Sequence, residues 1–253
     1  DDEVPHKLKD VYDEQEYKKS QSYKKTSAKF SNLTSLIITS LTLIFFLVDG
    51  FKYLDNFARS YTDRPILVAL IFFGVIILGS EIVSTPLSYY STFVIEEKFG
   101  FNKSTIKTFW MDKIKGLLIS GLLGGGILSL VIWFYQLTGE NFWIYAWALV
   151  AIFSLSINMF HAKLIVPLFN KQSPLEEGEL KSAIEKYAQT VGFTINNIFV
   201  IDGSKRSTKA NAYFSGFGSQ KRITLYDTLI NDLNTDEIVA VLAHEVGHYK
   251  KRH

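Results

Sequence analysis

The stretch Asn234-Thr-Asp-Glu-Ile-Val-Ala-Val-Leu-Ala-His244-Glu245-Val-Gly-His248-Tyr-Lys-Lys-Arg-His253 decides how the rest of the chain is read. Asn234 or Thr235 can cap a helix, with Asp236 and Glu237 in its first turn and basic residues in its last. The apolar run from Ile238 to Ala243 predicts that this helix is buried. His244 and His248 stand one turn apart on one face, a spacing that lets two imidazoles hold one zinc ion. Glu245 lies about 100° further round the helix, placed to act as a general base on a water rather than as a ligand. The competing reading is an ordinary helix carrying two histidines. It is disfavoured because imidazoles and a carboxylate in an apolar helix are costly when unpaired.

A catalytic zinc needs three protein ligands, and the stretch supplies two. His253 follows His244 by nine residues and falls about 180° away on a continuing helix, so it points the wrong way. The extended pattern with a glycine seven residues after the first histidine is absent, because Lys251 occupies that place. The third ligand, a Glu or a His, is expected beyond residue 253, and the chain reads as a fragment.

Upstream of this helix lie short strand-like runs. Asn197 to Ile201, Asn211 to Phe214 and Arg222 to Tyr226 are rich in β-branched and aromatic residues. The last two are expected to form a hairpin around Gly218-Ser219, within a small antiparallel sheet. A short helix is expected from Asp227 or Thr228. Residues 173–192 read as a helix capped by Ser173, with Pro174 at its first position, Glu176 in a capping box and Gly192 at its end. Helix, small sheet and H-E-x-x-H helix together make a zincin-like α+β domain, in which an extended peptide can add to a free sheet edge.

Further upstream the composition changes. Apolar stretches at about 31–51, 65–90, 114–137 and 142–169 are each long enough to cross a bilayer core of about 30 Å. Trp110, Trp133, Trp143 and Trp147 fall near their ends, as an aromatic belt requires. Glu81, Asn158, His161 and Lys163 are polar residues within the stretches. Glu81 suits either a structural hydrogen bond or the lining of a wet cavity, and Lys163 can snorkel to the interface. Residues 1–30 carry seven lysines and seven acids and read as a solvated segment or loop. Lysines there and in the 91–113 loop place both, with the H-E-x-x-H domain, on the cytosolic side. The chain is therefore read as mainly α and polytopic. A cytosolic segment (1–30) precedes four transmembrane helices (31–169) and the N-terminal part of a metalloprotease domain (170–253). A net charge of +2 gives no electrostatic case for nucleic acid, and the absence of cysteine excludes disulfides and thiolate chemistry.

The chain also resembles a family, the type-I CAAX prenyl endopeptidases, which are integral-membrane zinc metalloproteases. The resemblance rests on Phe93-Val-Ile-Glu-Glu-Lys-Phe-Gly-Phe-Asn-Lys-Ser104, Pro167-Leu-Phe-Asn170, Pro174-Leu-Glu-Glu-Gly178, Val200-Ile-Asp-Gly-Ser-Lys-Arg206, Asn211-Ala-Tyr-Phe214 and the H-E-x-x-H helix. It implies a gluzincin-type domain with His244 and His248 as zinc ligands, a downstream Glu as the third, and Glu245 as general base. It implies that Asn211, Ala212 and Tyr213 form a substrate-binding edge strand. It implies seven spans around a water-filled chamber, a prenylated CaaX peptide or protein as substrate, and a monomer in the bilayer. A eukaryotic member is expected in the endoplasmic reticulum and inner nuclear membranes, a bacterial one in the cytoplasmic membrane. Two other readings are a quality-control protease similar to the heat-shock membrane metalloproteases, and a non-catalytic scaffold with a vestigial zinc site.

Overall fold

The computed structural model describes residues 4–5, 13–192, 197–215 and 222–251. These form two compact units, one holding the residues up to Asn102 together with Ser120–Leu137, the other holding Lys103–Ile119 and the residues from Thr138 onward.

The first unit is built on α1 (Glu14–Leu47), α2 (Gly50–Tyr61) and α3 (Pro65–Tyr90). The Asp13 carboxylate caps α1 by accepting from the backbone N–H groups of Gln15 and Glu16, both at 2.9 Å. Residues 14–30, expected as a solvated segment or loop, are thus a solvated helix continuous with the first apolar stretch. Asp49, at φ 55°, breaks the helix between α1 and α2. Gly50 is required there because a Cβ would come within 2.5 Å of the Phe45 ring. The residues that link the first two apolar stretches are largely helical: α2 buries Gly50, Leu54 and Ala58 one turn apart. Scattered charges disguise this narrow apolar stripe.

α3 opens on Pro65 and runs past Pro86 into a π-helical turn, Ser91–Glu96. The first part of the expected 91–113 loop is therefore helical. Its end is held against α1: the Phe30 and Tyr90 rings stack at 5.1 Å, Tyr23 meets Phe99 and Phe101 at 5.3 and 4.8 Å, and the Tyr23 hydroxyl donates to Glu96.

α4 (Ile106–Thr138) begins eight residues earlier than the expected 114–137 span, capped by Thr105, and a short 3₁₀ turn at Gly139–Asn141 leads into α5 (Phe142–Leu164). Among the described residues, three continuous helical runs are long and apolar enough to cross a membrane: Glu14–Leu47, Pro65–Glu96 and Ile106–Leu164. The third is divided by Gly139, at φ 53°, into α4 and α5. Leu47, Ile82 and Leu122 are 84%, 73% and 77% exposed, a pattern that is costly in water and suited to lipid.

In the second unit α5 passes through α6 (Val166–Phe169) into a four-stranded sheet. The strands are β1 (Gln172–Pro174), β2 (Asn197–Ile201), β3 (Ala212–Ser215) and β4 (Arg222–Tyr226), in the order β1-β2-β4-β3. The β3–β4 pair is antiparallel as expected, and the turn between them lies outside the described residues. The expected wholly antiparallel sheet is not found, because β2 and β4 run parallel. The 173–192 helix is likewise corrected. Pro174 ends an edge strand whose residues pair with β2, and α7 (Glu179–Thr190) starts after Gly178. Proline is tolerated on an edge because its missing N–H costs no ladder bond there. Gly192, at φ 61°, does end the helix.

α8 (Asp227–Asp232) and α9 (Thr235–Lys251) complete the unit. One face of the sheet contributes Ile198, Ala212, Ile223 and Leu225 to a core shared with Ile184, Leu229, Ile238 and Leu242. On the other face Arg222 stacks 3.9 Å from the Phe199 ring and donates to the carbonyl of Ala162 and to Gln172 Oε1.

The segment Asp202-Gly-Ser-Lys-Arg206 ties these pieces together. Asp202 Oδ1 accepts from the Lys171 N–H at 2.8 Å and the Asn170 amide at 3.0 Å. Ser204 donates through its backbone N–H and its hydroxyl to Asp227 at the start of α8. Arg206 donates in bidentate fashion to Asp112 of α4 at 2.7 and 2.8 Å, and to the Phe169 carbonyl at 2.9 Å. Gly203 leaves room for the Tyr226 ring, which a Cβ would meet at 2.2 Å. Because the Arg206 and Asp112 side chains are only 24% and 27% exposed, Arg206→Ala leaves Asp112 with an ill-solvated charge. We expect Arg206→Ala to lower stability by about 1–3 kcal/mol, read as a fall in the thermal unfolding midpoint in detergent. An unchanged midpoint would show that the pair contributes no net stability.

Candidate metal and substrate site

α9 is fixed at its N-terminus by a reciprocal cap. Asn234 Oδ1 accepts from the Glu237 N–H at 3.0 Å, and Glu237 Oε2 accepts from the Asn234 N–H at 2.9 Å. Beyond the cap, Ile238, Leu242 and Val246 recur at every fourth position and are 1%, 1% and 2% exposed. This stripe sets the rotation of the helix. Ala240, His244 and Gly247 fall on the exposed side. The expectation that the whole helix is buried is thereby corrected: only its stripe is buried, and the His244 imidazole does not bear the desolvation cost of an apolar surround.

Position 248 lies one turn beyond His244 on α9, and position 245 is the next step round. The side chains of Glu245 and His248, and His253 itself, lie outside the described residues. Among the described residues there is no cluster of three or more groups able to hold a metal.

β3 is an edge strand, so its second edge pairs with no other described strand. Ala212 is buried opposite Leu225 and shares a core cluster with Ile238 and Leu242, so β3 and α9 are anchored in the same apolar packing. Tyr213 stands opposite Thr224 with its ring edge-on to Tyr226 at 6.4 Å. Burial raises the Tyr213 phenol above its ordinary range. Asn211 is exposed; its carbonyl accepts from the Tyr226 N–H at 3.0 Å and its side-chain oxygen from the Ala212 N–H at 2.9 Å. The structure brings His244 and the Asn211–Tyr213 strand onto neighbouring elements of one core.

Sequence reasoning assigned no function to Arg206, Asp112 or Asp227. The 200–206 motif was conspicuous, but its partners lie 94 residues before Arg206 and 23 after Ser204. Within α3, Glu81 accepts from the Thr85 hydroxyl at 3.4 Å, one turn along the helix.

Residues 1–171 match the family model described as CAAX prenyl protease N-terminal, five membrane helices, and residues 174–253 match Peptidase family M48. The chain belongs to the CAAX prenyl protease family of M48 peptidases. It is 41% identical to CAAX prenyl protease 1 of Saccharomyces cerevisiae, an alignment covering 99% of this chain and 58% of that protein. The CAAX prenyl protease 1 homolog of Arabidopsis thaliana is 40% identical over 99% of this chain and 61% of its own length, and that of Homo sapiens 32% identical over 99% and 62%. The crystal structure of S. mikatae Ste24p superposes with a TM-score of 0.91 at 42% identity, covering 99% of this chain and 60% of that one. The chain thus spans about 60% of the length of the relatives it matches. Membership makes it an integral, multi-pass membrane protein of a family with a metal cofactor.

The rotation of α9 separates two substitutions by their effects. Leu242→Ala should cost about 2–5 kcal/mol by opening the core. His244→Ala, on the exposed side, should change metal-free stability by less than about 1 kcal/mol while lowering metal content. Thermal unfolding with and without chelator, beside elemental analysis, reads both. A severe loss of metal-free stability in His244→Ala would mean that the imidazole is a core residue.

Proposed function

We propose that this chain carries the ligand-bearing helix and the substrate strand of a zinc endopeptidase that cuts near the C-terminus of prenylated CaaX proteins within a membrane. The observation that supports it most is the exposed side of α9, with His244 upon it, packed through a shared core to the edge strand β3.

The donor chemistry fits zinc. Imidazole is a preferred zinc ligand, and an exposed helix side lets His244 and the position one turn on reach an ion without burying charge. His244 and His248 would hold the metal with a third protein ligand, leaving one coordination position open. When bound, zinc polarises a carbonyl and acidifies water. The Glu245 carboxylate takes a proton from the attacking water and later delivers it to the leaving amine nitrogen. An extended peptide adds to the outer edge of β3, its backbone pairing with Asn211, Ala212 and Tyr213. The protonated Tyr213 phenol offers a further donor to that peptide. In this reading residues 1–30 are cytosolic, 31–169 hold the membrane spans, and 170–253 form the N-terminal part of the protease domain. The protein acts as a monomer and in a eukaryote resides in the endoplasmic reticulum.

The experiment compares the complete gene product in detergent with its Glu245→Gln variant on a farnesylated C-terminal CaaX peptide and on the same peptide without the lipid. We expect Glu245→Gln to retain metal and lose cleavage by about two to four orders of magnitude, with the farnesylated peptide preferred by the native protein. Full activity in Glu245→Gln would remove Glu245 as the base. Equal cutting of both peptides would replace the prenyl-specific reading with a general membrane protease. Tyr213→Ala should weaken peptide cleavage without loss of metal; unchanged KM and kcat would remove the edge strand from the substrate site.

A further inference from the structure

α1 and α3 run in opposite directions and are held together at both ends. At one end the Phe30 ring stacks on Tyr90 at 5.1 Å. At the other end α2 stands between them, with the Phe51 ring edge-on to Phe45 at 4.8 Å and stacked with Phe72 at 6.3 Å. Between these two closures opens a groove of about 680 Å³. Its lining comes from within residues 38–45 of α1, 50–57 of α2 and 75–84 of α3.

The sequence explains the opening. Counting about 1.5 Å per residue from the Phe30–Tyr90 contact, Leu41 of α1 stands level with Gly79 of α3, and Phe45 with Val75. α3 therefore offers no side chain where α1 offers Leu41. A Cβ added at Gly79 would have nothing within 4 Å. Ser80 and Ser84 extend this low floor, and Leu41, Phe45 and Phe57, all exposed, stand over it.

The lining decides the chemistry of an occupant. It holds no charged residue, and its Thr42 hydroxyl already donates to the Ile38 carbonyl at 2.8 Å. Such a groove takes hydrocarbon. The parts of α1 and α3 that line it belong to two runs able to cross a membrane, Glu14–Leu47 and Pro65–Glu96. Its rim continues onto Leu78 and Ile82, exposed apolar residues of the lipid-facing surface of α3. The groove is thus continuous with the surface that the bilayer covers. Along α3 it extends about 14 Å, roughly half of a hydrocarbon core of about 30 Å and so the reach of one leaflet's chains. A helix fits it poorly. Helices in lipid seat on seams of small residues that let two backbones approach, whereas here the small residues lie beneath bulky ones.

We propose that this groove holds one acyl chain of a membrane phospholipid as a resident lipid, filling the space that Gly79 leaves between α1 and α3. The site lies on different elements from the metal helix and does not depend on the proposed chemistry.

The test titrates the delipidated complete gene product in detergent with dioleoyl phosphatidylcholine and counts retained lipids by native mass spectrometry. One lipid should be retained at least tenfold more strongly than any further one. Gly79→Leu, which fills the floor without a clash, should weaken that retention at least tenfold and leave the thermal midpoint of the lipid-free protein unchanged or higher. Gly74→Leu, with equal room around its Cβ on the same helix but outside the groove, should leave retention unchanged. A phosphatidylcholine with a photoreactive diazirine in its acyl chain reads the site without any variant, and should label the peptides that contain residues 38–45 and 75–84. Equal retention of all lipids, undiminished retention in Gly79→Leu, or labelling confined to other peptides would overturn the proposal. So would a dimer of the native protein that Gly79→Leu dissociates, which would seat a second copy in the groove. Displacement of the lipid by equimolar farnesol, but not by a straight-chain alcohol of equal chain length, would replace the acyl chain with an isoprenoid.

Discussion

The apolar stripe of Ile238, Leu242 and Val246 is the constraint from which the candidate site follows. A helix with one buried row at every fourth position has little rotational freedom once that row is packed, because turning it would expose side chains worth about 1.5–3 kcal/mol each. Ile238 and Leu242 of the stripe meet Ile184, Ile198, Ala212, Ile223, Leu225 and Leu229 in a single cluster. The same packing therefore decides where His244 stands and where β3 stands. Ala212 belongs to the cluster, while Asn211 before it and Tyr213 after it reach outward from it. α9 and β3 are thus positioned by one shared core.

Around that core runs a polar framework centred on residues 202–206. Asp202 holds the chain leaving α6, Ser204 holds the start of α8, and Arg206 holds Asp112 and the last carbonyl of α6. These are charge-assisted hydrogen bonds, which lose little to screening when partly buried. The bidentate guanidinium fixes orientation as well as distance, and a lysine would not replace it. Lys115 adds a bond of 2.8 Å to the Leu168 carbonyl at the same helix end. The loop that follows β2 is thus held by several polar bonds, although it has only a 3₁₀ turn of regular structure.

Much of this was legible in the sequence, because it depends on local pattern. The strands at 197–201 and 222–226, the start of α8 at Asp227, the cap at Asn234 and the stop at Gly192 follow from short-range rules and are found where expected. The apolar runs that suit a bilayer are equally plain. What stayed hidden depends on partners distant in sequence. Ser173-Pro174 followed by Glu176 has the signature of a helix start, yet pairing with β2 makes it an edge strand. Strand periodicity marks β2 and β4 but not that they lie side by side in parallel. α2 was hidden because three small or aliphatic residues make its whole buried face. The exposed side of α9 was masked by aliphatic Ala240, which hydropathy counts as core. The Arg206–Asp112 pair carries no local signal at all.

The central proposal is that α9 would hold a zinc ion through His244 and His248. X-ray absorption at the zinc edge, on the metal-loaded protein, tests this directly. The account predicts one zinc per protein with two imidazole nitrogens at about 2.0–2.1 Å, one of which disappears in His244→Ala, and a position that an added small anion can occupy. A shell closed by four protein ligands, or one unchanged by His244→Ala, would contradict it.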